Sequence, residues 1–176
     1  MDAPAHHYDS GDRIADLEMN RYVYERPFLI DIPKGNNELV MKEDLLPYAE
    51  QIAKCDLLML RTGHSRYHDT DPEMYARTSP GVSSGAAEYI NRNFENVKGV
   101  IMDFISLTSY THHEDGCIAH KWLLGEYSDH YSTIIEDANL EGLSNDTLVR
   151  VFSIPIRYSI VDSAQVSVLA EIREDS

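Results

Sequence analysis

Cysteine is nearly absent from this chain, with Cys55 and Cys117 its only two. That excludes a disulfide framework. With no second cysteine near Cys117 it excludes a zinc knuckle too, and a reducing, cytoplasmic setting is the expectation. Basic residues are also scarce, 15 against 30 acidic ones, for a formal charge of −15. A field of that sign argues against a nucleic-acid partner or an anionic membrane surface. No stretch approaches the ~20 consecutive apolar residues of a membrane span. The opening MDAPAHHYDSGD lacks the apolar core of a signal peptide. A G-x-S-x-G elbow, a Walker loop and a G-x-G-x-x-G turn are all missing, so a serine nucleophile, ATP and dinucleotides have no support. What is present is a composition 43% apolar and 26% charged over 176 residues, which suits one core-forming domain spanning 1–176. Eight histidines are the feature to pursue.

The apolar pattern alternates between strands and helices. Phe28 to Ile32, stopped by Pro33, reads as a buried strand, and Lys34-Gly35-Asn36-Asn37 as a turn. Residues 44–53 place Leu45, Ala49, Ile52 and Ala53 on one helical face, with Pro47 in the first turn. Asp56–Arg61 reads as a central strand and 62–80 as a long polar loop, a place where function concentrates. Ser83-Ser84 cap a helix to about Phe94, and Gly99–Phe104 is another buried strand. A second polar loop, 105–117, leads to a short helix at 118–125. Strands follow at 133–136, 149–154 and 165–172, the last with clean alternation. The order β-α-β-α-β-α-β-β-β predicts an α/β domain with a mixed, barrel-like sheet, parallel early and antiparallel late.

Three places carry candidate ligands. In Asp2-Ala3-Pro4-Ala5-His6-His7, Pro4 biases Ala3 to extended backbone, and continued extension would turn Asp2, Pro4 and His6 to one side. The same residues also read as a frayed, solvated terminus. His120 and Glu136 form a second set. A carboxylate closing an apolar strand needs a cation or donors, although Glu136 could also cap the turn at Asp137-Ala138-Asn139. His, Asp and Glu together suit zinc or manganese. His64, His68, His112, His113 and His130 read as exposed loop or substrate-lining groups, since a helix over His64–His68 conflicts with the Gly, Asp and Pro around them.

Taken in order, these residues resemble a known family. Asp2-Ala3-Pro4-Ala5-His6, with Gly11 and Ile14-x-x-Leu17, resembles the second half of the His-x-Gly-Thr-His-x-Asp-x-Pro-x-His signature of the cyclase superfamily, which includes bacterial kynurenine formamidase and isatin hydrolase. The likeness continues through Leu57–Gly63, Ser79-Pro80-Gly81-Val82-Ser83, Gly99–Asp103, His120 with Leu123-Leu124, Ile134-Ile135-Glu136 with Asn139-Leu140, and Pro155-Ile156. It implies the swivelling β/β/α fold of that superfamily and a metal-dependent hydrolase of an aryl formamide or cyclic amide. N-formylkynurenine, cleaved to kynurenine and formate in tryptophan catabolism, is the model substrate. By the same resemblance Asp2, His120 and Glu136 would be metal ligands for zinc, with manganese as the alternative, and His6 the acid/base. Tyr67, Tyr75 and Tyr110 are candidates to stack on an aryl ring.

The departures also carry implications. The His-x-Gly-Thr-His half of the signature is not in this sequence, so two expected histidine ligands and the preceding strands are missing. An internal methionine taken as the start would account for this; a shortened descendant is the rival. The expectation is weak metal binding and low turnover. The alternative function is a degenerate member acting as a binding or oligomeric scaffold, and the resemblance implies a homodimer or higher homo-oligomer. His120 and Glu136 are 16 positions apart, longer than the family pattern, with His130 in the 126–130 insert as a substitute ligand.

Overall fold

A computed structural model describes residues 1–173. Its strands are β1 (Val23–Tyr24), β2 (Pro27–Asp31), β3 (Leu39–Val40), β4 (Leu57–Arg61), β5 (Gly81–Val82), β6 (Gly99–Met102), β7 (Thr133–Ile135), β8 (Leu148–Pro155) and β9 (Val166–Ile172). The α-helices are α1 (Lys42–Leu45), α2 (Ala49–Ile52), α3 (Pro72–Arg77), α4 (Ser84–Asn93) and α5 (His113–Leu123).

The centre is a parallel sheet in the order β2-β4-β6-β7. β4 and β6 are covered on both faces, which explains why they read as continuous apolar runs instead of alternating ones. Their side chains still divide by parity. Leu58, Leu60, Val100, Met102 and Ile134 pack on Ala86, Ile90, Ala119 and Leu123 of α4 and α5. Leu57, Met59, Ile101 and Ile135 pack on Met1, Ala3, Tyr24, Leu148 and Val151. The second face is therefore covered by the antiparallel sheet β1-β8-β9. A short parallel pair, β3-β5, completes the architecture. This is the mixed α/β fold that the element order predicts, parallel early and antiparallel late.

Several boundaries depart from expectation, each for a local reason. The helical stretch at 44–53 begins earlier, at Lys42, so Pro47 falls inside it; lacking an N–H, Pro47 splits it into α1, a 3-10 turn at Leu46–Tyr48, and α2. The loop 62–80 contains a 3-10 turn at His64–Tyr67 and helix α3. Asp71 caps α3 by accepting from the Met74 N–H, with Pro72 at its first position, a start signal legible in Asp71-Pro72-Glu73. Helix α5 begins at His113, five residues before the expected 118. Its polar first turn carries Glu114 and Asp115, favourable at a helix N-terminus, and Asp115 also accepts from the Ser84 N–H and hydroxyl. Among the described residues no helix is long and apolar enough to cross a membrane.

Candidate metal centre

The candidate site lies at the carboxyl end of the parallel sheet, the usual place for ligands in such folds. Glu136 directly follows β7. The N-terminal chain runs antiparallel beside that strand: the Asp2 N–H donates to the Ile134 carbonyl at 2.8 Å, and the Met1 ammonium donates to the Ala164 carbonyl at 2.9 Å. Met1, Asp2, Ala3 and Pro4 are buried, so this terminus is packed into the fold and is not frayed. The extended path stops sooner than expected. Ala3 is extended, as Pro4 dictates, but Pro4–His6 is a 3-10 turn, and it is this turn that brings His6 to the site. Gly11 lets the following loop close on the turn, since a β-carbon there would lie 2.7 Å from the backbone of Pro4 and Ala5.

One ligand atom each from Asp2, His120 and Glu136 lies within 4.8 Å of the others. Asp2 and His120 are each only 5% exposed. The His120 Nδ1 lies 2.9 Å from the Gly116 carbonyl, which can only accept, so Nδ1 carries a hydrogen and Nε2 faces Glu136 Oε1 at 3.8 Å. That oxygen also accepts from the Leu107 N–H at 2.6 Å and the Ser106 hydroxyl at 3.1 Å. Asp2 Oδ2 is buried without a hydrogen-bond partner.

The electrostatics are those of a tight acid–imidazole cluster. Burial and the charge of Glu136 push the Asp2 carboxyl up. Burial opposes charge on His120, but the Glu136 carboxylate facing its Nε2, the Gly116 hydrogen bond and the Asp2 carboxylate outweigh it and raise its pKa. Glu136 is likewise held below its ordinary value: burial works against its charge, but the His120 imidazole facing it and the Leu107 and Ser106 hydrogen bonds outweigh it. A buried, unpartnered carboxylate oxygen is costly unless a cation or donor meets it. Two carboxylates and an imidazole, with no thiolate, are a donor set that fits zinc or manganese.

His6 sits beside this group, its ring centroid 6.1 Å from that of His120, with Nδ1 3.1 Å from Asp162 Oδ1. His7, incidental by sequence, stacks on His120 at 4.7 Å. Burial and the neighbouring His120 and His6 charges push its pKa down to about 4. Asp162 and His7 are the residues sequence reasoning misses; Asp162 is 156 positions from His6 and nothing local marks it.

The other histidines lie elsewhere. His64 is buried, not exposed, stacking on Tyr75 with Nε2 3.1 Å from the Tyr75 carbonyl. His68 pairs with Asp69. His112 is the residue before α5, and His113 lies 3.7 Å from Cys117 Sγ. His130, the substitute ligand, is outside the cluster, its carbonyl accepting from Asn91. The 16-position gap is thus no obstacle to His120 meeting Glu136. The Tyr75 hydroxyl donates to Asp137, and Tyr110 is an exposed side chain.

Fold and site together define an α/β protein whose central sheet carries a buried nitrogen-and-oxygen donor cluster at its carboxyl edge. The chain belongs to the cyclase family, whose sequence model, described as "Putative cyclase", matches residues 1–108. That span holds Asp2 and His6. A protein of Haemophilus influenzae (strain ATCC 51907 / DSM 11121 / KW20 / Rd), described as "Uncharacterized protein", is 34% identical over 100 residues, 57% of this chain and 70% of its own.

Proposed function

We propose that this protein is a metal-dependent amide hydrolase in which Asp2, His120 and Glu136 hold a divalent cation, zinc or alternatively manganese. The observation that carries the reading is the cluster of Asp2, His120 and Glu136, one ligand atom of each within 4.8 Å of the others, together with the buried Asp2 Oδ2 that has no hydrogen-bond partner. Three protein donors are the number that catalytic zinc sites supply. When bound, such an ion lowers the pKa of a water toward ~7 and polarises a carbonyl. His6, held through Nδ1 by Asp162, keeps Nε2 to take a proton from the attacking water and return it to the leaving nitrogen. An N-formyl arylamine such as N-formylkynurenine would yield formate and the free amine, the arylformamidase reaction of tryptophan catabolism.

The test is elemental analysis after dialysis against zinc or manganese, paired with formate release from N-formylkynurenine. With the signature's two further histidines absent from this sequence, the wild type is expected to bind metal weakly and release formate slowly, and Asp2→Asn and Glu136→Gln to lose both. His6→Ala should keep metal and lose turnover. A wild type that retains no metal and releases no formate refutes the reading.

A second reading, a binding or homo-oligomeric scaffold, has one observation in its favour. β9 is the outer strand of its sheet, with Leu169 and Ile172 56% and 57% exposed. Sedimentation equilibrium showing a monomer would remove that support.

A further inference from the structure

Asp137, the residue after Glu136, has no part in the hydrolase reading above, yet it lines the same cavity as two of the candidate ligands. That cavity has a volume of about 700 Å³ and takes in Asp2, Glu136 and Asp137, with Ile105, Ile154 and Ile156 as an apolar wall. Asp137 is exposed, and among the described residues its carboxylate has one side-chain partner, the Tyr75 hydroxyl, which donates to Oδ1 at 2.5 Å. Tyr75 does not line the cavity. It is only 5% exposed, stacked on His64 and edge-on to His68, so the hydroxyl it offers is held in place.

The backbone at Asp137 is unusual as well. Its φ is +58°, in the left-handed region that a residue with a β-carbon rarely adopts. Two hydrogen bonds impose it: the Asp137 N–H donates to the Phe104 carbonyl at 2.9 Å, and the Ala138 N–H to the Met102 carbonyl at 3.0 Å. Backbone strain held by its surroundings gathers at ligand sites. A carboxylate fixed by a buried hydroxyl and a pinned backbone is an acceptor oriented before any substrate arrives.

Position decides what it can meet. Consecutive Cα atoms lie ~3.8 Å apart, so Asp137 serves the space next to Glu136, where the bond to be cleaved would lie. A carboxylate only accepts, and the one donor an amide group carries is its N–H. We infer that Asp137 accepts a hydrogen bond from the N–H of the scissile amide, with Tyr75 as its positioning residue, so that secondary amides are taken in preference to N-alkylated ones. The assignment rests on the hydrolase reading and deepens it by naming the substrate class. N-formylkynurenine, whose formamide carries an N–H, belongs to that class. A hydrogen bond to a charged acceptor changes an equilibrium by about tenfold or more.

The experiment compares formanilide with N-methylformanilide, which lacks that N–H, as kcat/KM for formate release by the zinc-supplemented protein. Glycine adopts left-handed backbone without strain, so Asp137→Gly removes the carboxylate and keeps the turn. It should slow formanilide about tenfold or more and N-methylformanilide by less than about twofold. Tyr75→Phe should move the same ratio in the same direction by a smaller factor. Each variant is referred to the wild type, so the different conformations of the two anilides cancel. Titration with acetanilide and N-methylacetanilide, followed by protein NMR shifts, reads the ratio from binding alone. An equal fall for both amides in Asp137→Gly shows a merely structural role and overturns the inference, as does an unchanged ratio or binding of neither anilide. A wild-type ratio in Tyr75→Phe refutes the positioning role. Failure of the hydrolase reading looks different: an Asp137-dependent preference for acetanilide without formate release sinks the hydrolase and keeps the acceptor. Formate release from both formanilides at a ratio unmoved by Asp137→Gly does the reverse.

Discussion

Gly116→Ala is a sharp test of how α5 positions His120. Helix propensity alone favours alanine over glycine at an interior position by about 1 kcal/mol. The tertiary setting opposes it. A β-carbon at residue 116 would lie 2.5 Å from Thr108 Cγ2, 2.7 Å from Thr108 Cβ, and against Thr108 Oγ1. Rotating the threonine cannot clear its own β-carbon, so α5 and the segment at Thr108 must move apart. Overpacking costs about 1–3 kcal/mol, and a clash with a β-carbon that no rotamer relieves falls in the upper half of that range, about 2–3 kcal/mol, so a net loss of about 1–2 kcal/mol remains. For a domain of this size that lowers Tm by about 2–8 °C. The displacement also reaches the site, because the neighbouring Ser106 and Leu107 hold Glu136, whereas α5 carries His120. Their 3.8 Å approach should open and zinc affinity should fall. Scanning calorimetry and competition with a chromophoric chelator read the two effects. In a Thr108→Gly background the alanine should become neutral or stabilising. A Tm unchanged or raised by Gly116→Ala alone would refute the reasoning, leaving helix propensity in charge.

Three further outcomes are expected. Asp103 is fully buried and accepts from the Thr62 N–H and hydroxyl and the Gly63 N–H; Asp103→Asn aims an N–H₂ at donors and should cost about 1–3 kcal/mol, read as a lower urea midpoint. The Arg61 hydrogen bonds hold the Asp31 carboxyl below its ordinary value. Its contribution is therefore complete above the unfolded pKa of ~3.9 and lost as pH falls through the lower folded value; the pair is exposed, so the difference from Asp31→Asn across that window should stay below about 1 kcal/mol. Burial, with the charge of Asp56, pushes the Cys55 thiol up to about 12. Iodoacetamide at pH 8 should therefore label Cys117 and spare Cys55 until the protein unfolds, as peptide mass spectrometry would report.

Legibility in the sequence followed the range of the interactions. β4 and β6 are evident because a strand buried on both faces must be apolar throughout. The start of α4 is evident because Ser83 supplies the cap itself, accepting from the Ala86 N–H. α3 carries an equally local signal in Asp71-Pro72, which the surrounding polar residues obscure. The N-terminus is harder: Pro4 dictates the extended Ala3, but nothing local dictates the 3-10 turn that follows, which depends on the packing of Gly11. His64 looks like a loop histidine and is buried because α3 folds back over it.

By itself, the sequence determined the alternation of elements, the acidic field and a short set of residues with metal-ligand chemistry, because these depend on composition and near neighbours. The tertiary structure decided which of those residues meet. Residues 2, 120 and 136 converge only because the N-terminal chain bridges to β7 and α5 packs over the same sheet edge. Asp162 reaches His6, and Ile105, Ile154 and Ile156 share a cavity with the carboxylates, through the pairing of two sheets far apart in the chain. Such contacts are set by sheet order and register, which no local pattern of residues encodes.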